Sequence, residues 1–233
     1  MKQIINHFTD NDLYTFTCQY YILQKYPRAE VEYTFFDRNK TKYPIGFDEI
    51  LQEQMNGMAN VVITEEEIEF MKKKCYFLPH WYIDTFLRGY RFNPKELTIS
   101  QDEEGYLDIK VKGKWWSAIF WEMPILSTIS ELMHIIKGDI DNYNAELEYD
   151  RSLEKAKKAL TNGLTISDMG TRRRLSFDHQ DMVVKSFKEV QNQSWPNLTG
   201  KFVGTSNVYF AMKYDLTPIG TMSHQIISFE ENV

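Results

Sequence analysis

The stretch from Leu164 to His224 repeats one unit: a short apolar strand, a glycine-bearing polar turn, then a helix. No other feature of this 233-residue chain limits the possible folds so tightly. Leu164–Asp168 reads as a strand, Met169-Gly170-Thr171-Arg172-Arg173-Arg174 as its turn, and Phe177–Gln191 as its helix. Lys201–Val203 opens a second unit, followed by Gly204-Thr205-Ser206-Asn207 and a helix to Tyr214. Thr217–Ile219 opens a third, followed by Gly220-Thr221-Met222-Ser223-His224. Strands alternating with helices call for parallel pairing with right-handed crossovers. Such folds place ligands at the C-terminal ends of their strands. The three turns are therefore expected to converge on one site carrying Arg, Gly-Thr-Ser and His.

The part before this rhythm mixes its elements. Asp12–Lys25 carries Leu13, Phe16, Tyr20 and Leu23 at helical spacing, with Pro27 beyond its end. Ala29–Phe35 alternates with period two and reads as a half-buried strand. Thr64 with Glu67 forms a capping box for a helix to Lys74, and Pro79 suits the first turn of another that ends near Gly89. Leu97–Gln101, Tyr106–Lys112 and Lys114–Glu122 read as strands, with turns at Asp102–Gly105 and at Gly113. Helices are expected over Pro124–Lys137 and Ala145–Asn162.

Charge bears on the partner. The chain has 27 Lys+Arg against 33 Asp+Glu, a net charge of −6, which argues against a general nucleic-acid binder. Thr161–His224 runs the other way, with seven Lys+Arg against five acids, and this local surplus suits an anionic ligand. Cys18 and Cys75 provide neither a disulfide framework nor metal-ligand spacing, and two reduced core thiols are expected. The N-terminal stretch MKQIINHFTDNDLY lacks the apolar region of a signal peptide, and no apolar run approaches the ~20 residues that span a bilayer. A soluble, cytoplasmic protein with no membrane partner is expected.

Three groups carry candidate chemistry. A run of three arginines is ordinarily a solvated surface, but this one follows a strand and a glycine. If extended, it would turn Arg172 and Arg174 into the site together and Arg173 away. Gly204-Thr205-Ser206-Asn207 reads as a strand-to-helix turn with Ser206 or Asn207 as N-cap, and the capped helix start also presents amides. It is too short for a P-loop and lacks the following Lys. His224 closes the third turn; His7, His80, His134 and His179 show no paired metal spacing, and no Cys/His cluster supports zinc.

Five stretches together resemble the nicotinate phosphoribosyltransferase family: Asp12-Leu13-Tyr14, Tyr33-Thr34-Phe35-Phe36-Asp37-Arg38, Ser167 to Arg174, Phe202 to Tyr209, and Pro218 to His224. The resemblance implies a type II phosphoribosyltransferase that joins nicotinate to phosphoribosyl pyrophosphate in NAD biosynthesis, with Mg²⁺ on the pyrophosphate and ATP as co-substrate. It implies that His224 is the catalytic histidine phosphorylated by ATP. Arg172 and Arg174 would face substrate carboxylate or phosphates, and Met169 would cover one face of the ring. Tyr14 would arrive from a partner subunit to stack on the other face, with Asp12 beside it. Arg38, also from the partner, would approach the pyrophosphate, so a homodimer shares its sites. Thr205 and Ser206 would bind substrate. The nicotinamide-using relatives have an acidic residue at the Ser206 position, so serine selects nicotinate.

Many members carry Glu after the motif histidine, where this chain has Gln225. The fold class expected is an α+β N-terminal domain over residues 1–123, followed over 124–233 by the first part of an incomplete α/β barrel with three βα units present. A complete barrel takes about 250 residues, so a C-terminally truncated chain is expected. An inactive, dimerising fragment of the enzyme and a quinolinate phosphoribosyltransferase are the alternatives.

Overall fold

The computed structural model of the chain describes residues 1–140, 142–193, 197–221 and 223–231. The helices are α1 (Leu13–Lys25), α2 (Phe47–Gly57), α3 (Glu65–Lys74), α4 (Trp115–Ala118), α5 (Glu122–Ile136), α6 (Ala145–Thr161), α7 (Phe177–Asn192), α8 (Val208–Lys213) and α9 (His224–Glu230). The strands are β1 (Glu30–Thr34), β2 (Leu97–Gln101), β3 (Leu107–Lys114), β4 (Thr165–Asp168) and β5 (Lys201–Thr205). Tyr82–Leu87 forms a π-helical turn in the helix expected after Pro79.

The two sheets differ in kind. β1, β3 and β2 pair antiparallel in that order, with Glu30 opposite Lys114 and Leu97 opposite Val111. β4 and β5 pair parallel, with Thr165 opposite Lys201. The third expected strand, Thr217–Ile219, reduces to a single parallel bridge between Thr205 and Pro218. Proline has no N–H to give a ladder, and only the Ile219 amide reaches β5, donating to the Thr205 carbonyl at 2.9 Å.

Aromatic side chains fill the core of the first half. Phe8, Phe16, Tyr90, Phe92, Phe120 and Trp121 are buried and pack ring against ring, mostly tilted or edge-on. Cys18 and Cys75 are free and buried, and burial pushes the Cys75 thiol up to about 12. Both halves of the capping box form: the Thr64 hydroxyl accepts from the Glu67 amide, and the Glu67 carboxylate accepts from the Thr64 amide. The same carboxylate takes the amide and hydroxyl of Thr9 at 2.9 and 2.6 Å, so the box also anchors the segment that enters α1.

Lys114–Glu122 is not a strand. Beyond Lys114, the last residue of β3, it forms α4, a 3₁₀ turn over Ile119–Trp121 and the first residue of α5. Trp115, Ala118, Ile119, Phe120 and Trp121 are all buried, so the segment is apolar on nearly every side and its pattern does not separate helix from strand. Gly113 is not a turn but a position within β3 opposite Val31. A Cβ there would lie 3.0 Å from the Glu96 carboxylate, which accepts from Ser117 and from the Trp121 indole. The continuous helical stretch Trp115–Ile136 is 22 residues long and apolar enough by composition to cross a bilayer, but most of it is buried in the fold. The expected boundary at 123/124 falls inside α5.

Candidate functional site

Three segments meet at the C-terminal ends of the parallel strands. The chain before α1 runs against the turn after β5. There the Leu13 amide donates to the Ser206 carbonyl at 2.8 Å, the Val208 amide to Asn11 at 3.0 Å, and the Tyr209 amide to Thr9 at 2.9 Å. The turn after β4 joins them through the Ser206 amide, which donates to the Asp168 carbonyl at 2.9 Å. Together with Thr217–Thr221 they border a cavity of about 390 Å³ lined by Asp12, Tyr14, Met169, Gly170, Arg172, Arg173, Ser206, Ile219 and Thr221.

Two carboxylates organise the walls of this cavity, Asp10 buried and Asp168 half-buried. Asp10 accepts both guanidinium nitrogens of Arg174, at 2.7 and 2.9 Å, and the Asn207 amide at 2.7 Å. Asp168 accepts from the Thr205 hydroxyl at 2.7 Å, the Gly170 amide at 3.0 Å and the Gln180 amide at 3.0 Å. Asp10 thereby ties both strand-end turns to the segment before α1, and Asp168 ties the turn after β4 to the end of β5.

The cavity's own polar groups are of two kinds. Arg172 gives Nη2 to Glu122 at 2.7 Å and to the Tyr14 hydroxyl at 3.2 Å, which leaves Nη1 and Nε for a ligand. Burial alone would lower its pKa, but the Glu122 carboxylate and Tyr14 outweigh this and hold it above the ordinary value. Burial and the neighbouring Glu122 raise the Tyr14 hydroxyl, which stays protonated and donates to Glu122 at 2.7 Å. Asp12 accepts from the Ser206 hydroxyl at 2.8 Å; burial raises its pKa above 3.8, against the hydrogen bond from Ser206 and the charge of Arg172.

Residues 9–130 match the nicotinate phosphoribosyltransferase N-terminal domain, and residues 164–233 match the nicotinate phosphoribosyltransferase family. The chain belongs to the nicotinate phosphoribosyltransferase family. It is similar to the nicotinate phosphoribosyltransferase of Desulforapulum autotrophicum, 36% identical over 226 residues, covering 97% of this chain and 56% of that protein. The Methanosarcina mazei enzyme of the same name is 35% identical, covering 96% of this chain and 57% of that protein. The crystal structure of nicotinate phosphoribosyltransferase from Porphyromonas gingivalis superposes with a TM-score of 0.86 at 34% identity, over 97% of this chain and 56% of that one. The chain thus spans a little over half the length of the relatives it matches.

Against what this family's motifs imply, the structure brings Asp12, Tyr14, Met169, Arg172 and Ser206 around one cavity and leaves four other residues out of its lining. Within one chain, Tyr14 and Asp12 line the same cavity as Met169 and Arg172. Arg174 does not face it: its side chain is 1% exposed and is spent on Asp10, with Glu131 at 3.4 Å. The alternation expected of an extended stretch fails because Thr171–Arg173 is a 3₁₀ turn, which brings Arg173 rather than Arg174 to the cavity with Arg172. Thr205 is fully buried, with its hydroxyl turned to Asp168. Arg38 stands exposed in the turn after β1, and His224 stands exposed at the first position of α9.

Glu122, Asp10 and Asp168 organise the site, and the motif reading gave them no role. Asp10 adjoins the Asp12-Leu13-Tyr14 motif and Asp168 opens the arginine turn, so their positions carried a signal. Glu122 ends the apolar stretch Lys114–Glu122, whose pattern does not separate helix from strand.

Proposed function

We propose that the protein is a nicotinate phosphoribosyltransferase. Nicotinate lies between Tyr14 and Met169, and its ring nitrogen attacks the anomeric carbon of phosphoribosyl pyrophosphate. The new N–C bond forms as the C–O bond to pyrophosphate breaks, and pyrophosphate leaves with the electron pair. The nitrogen carries no proton, so no base is needed, and positioning and charge stabilisation do the work. The single observation that carries this reading is the gathering of an aromatic ring, a thioether and an arginine with two uncommitted donor groups around one 390 Å³ cavity.

Arg172 pairs with the nicotinate carboxylate, and Arg173 adds positive charge at the rim. Mg²⁺ would enter with the pyrophosphate and neutralise its charge as it leaves. ATP phosphorylates His224, whose exposure at the start of α9 leaves the imidazole open to a nucleotide. In a homodimer, Arg38 of a second copy supplies a cation to the pyrophosphate.

Ser206 selects the base. Its hydroxyl already neighbours the Asp12 carboxyl, so Ser206→Asp sets a second acid beside Asp12 and repels a carboxylate ligand. In a binding competition the chain should prefer nicotinate to nicotinamide, and Ser206→Asp should reverse that order. Equal affinity for the two bases in the unmodified chain would refute this role for Ser206.

A further inference from the structure

Glu122 has both carboxylate oxygens occupied by the ring slot and by α9. Oε1 accepts Arg172 Nη2 at 2.7 Å, while Oε2 accepts the Tyr14 hydroxyl at 2.7 Å and Gln225 Nε2 at 3.1 Å. Beyond Gln225 the chain of bonds continues: Tyr33 donates to Gln225 Oε1 at 2.8 Å, and the Trp115 indole donates to Tyr33 at 2.6 Å. Glu122, Gln225 and Tyr33 also line a second, largely apolar cavity of about 260 Å³ that is walled by Phe35, Ile109 and Ile125. Glu122 thus lines the second cavity and bonds two residues, Tyr14 and Arg172, that line the first.

The direction of this relay follows from its ends. An indole N–H can only donate, so Tyr33 must spend its own proton on the residue at 225. An ionised Glu122 can only accept, so the same residue must donate at its other side. An amide is the side chain that accepts at one end and donates at the other. A carboxylate at 225 would set oxygen against oxygen on Glu122, and an apolar side chain would leave both neighbours without a partner.

We propose that Glu122 is a positioning residue for Arg172 and Tyr14, and that Gln225 is the amide that keeps it in place and couples the ring slot to α9, the helix that begins at His224. The inference rests on the reading that the slot takes nicotinate. Gln225 does not line that slot; it reaches the slot's residues through Glu122.

The test is a double-mutant cycle on the 233-residue chain, read by nicotinate titration with thermal melts to verify folding. Gln225→Ala should weaken nicotinate binding at least about ten-fold in the unmodified chain, the low end of what one charge-assisted hydrogen bond contributes. In the Glu122→Ala background it should have no further effect, because its route to the slot is already gone. Equal losses in both backgrounds, or none in the unmodified chain, would overturn the coupling.

Gln225→Glu decides the matter if Glu122→Ala does not fold. The groups facing the new carboxyl pair are Arg172, Tyr14 and Cys18 on α1, and Tyr33 on β1. Two carboxyls in contact share one proton at acid pH and then mimic the amide. Relative to the unmodified chain at each pH, affinity should be retained at acid pH and fall as that proton leaves. A ratio flat across pH would contradict the proposal.

A ligand-free measurement separates this inference from the reading it rests on. The ¹⁵N signals of the Arg172 guanidinium should be sharp and slow to exchange, and should be lost in Glu122→Ala and, at high pH, in Gln225→Glu. Unchanged guanidinium signals would overturn the positioning role whatever nicotinate does. Unchanged nicotinate affinity in Arg172→Ala would instead overturn the slot reading and leave the positioning role to the guanidinium signals.

Discussion

Two arginines separated by one residue divide the work of stability and binding. Arg174 is buried against Asp10 and Glu131, whereas Arg172 keeps 44% of its side chain exposed. Arg174→Ala strands Asp10 without its cation, and the expected cost is about 3–5 kcal/mol, read from the denaturant midpoint. Arg172→Ala should change stability by less than about 1 kcal/mol yet abolish nicotinate binding. Comparable stability losses in the two variants would contradict this division.

Asp12 adds a pH signature at the same scale. Burial raises its folded-state pKa above 3.8, so the folded state binds this proton more tightly than the unfolded chain does. Its contribution therefore falls as pH rises from 3.8 through the raised value, and the full cost of burying the charge applies above it. The melting temperature of Asp12→Asn minus that of the unmodified chain should grow as pH rises through this window and then level off. A difference that shrinks with pH would reverse the sign.

Gly204 decides an element's position. It sits in β5 at φ +143°, and a Cβ there would lie 2.1 Å from the Thr217 carbonyl. The glycine lets Thr217–Ile219 approach β5, and that approach carries Ile219 and Thr221 to the cavity wall. Gly204→Ala should cost at least about 2 kcal/mol by chemical denaturation and weaken nicotinate binding as well. α2 escaped the sequence reading although Phe47, Leu51 and Met55 recur four residues apart and are all buried; the spacing was present and needed only to be counted. α9 offered less, since its seven residues bury none of their side chains and only the Ser223 cap marks its start.

At the scale of the molecule, the two regions of the chain share one set of buried polar contacts. Asp10 pairs with Arg174 and Asn207 across 164 and 197 residues of sequence, and Glu67 holds Thr9 in line with them. Neither region completes the Asp10 bonds alone. The chain should therefore unfold in a single transition, with aromatic near-ultraviolet and far-ultraviolet dichroism changing together in urea. Two separated transitions would show that the regions are independently stable.

The sequence by itself determined the elements whose signals are local. The capping box of α3, the periodicity of α1, and the strand–turn–helix order after Leu164 each rest on residues within a few positions of one another. The motifs likewise name Asp12, Tyr14, Met169, Arg172 and Ser206, five residues that line one cavity. Tertiary structure alone decided that Arg172 and Arg173 line the cavity while Arg174 is buried, and that Gln225 turns toward Glu122 and Tyr33. It also decided that Trp115–Trp121 is helical, because a segment apolar on every side takes the shape of the space it fills. Periodicity records which face of an element avoids water; the partner that neutralises a buried charge lies far along the chain and is chosen only when the elements pack.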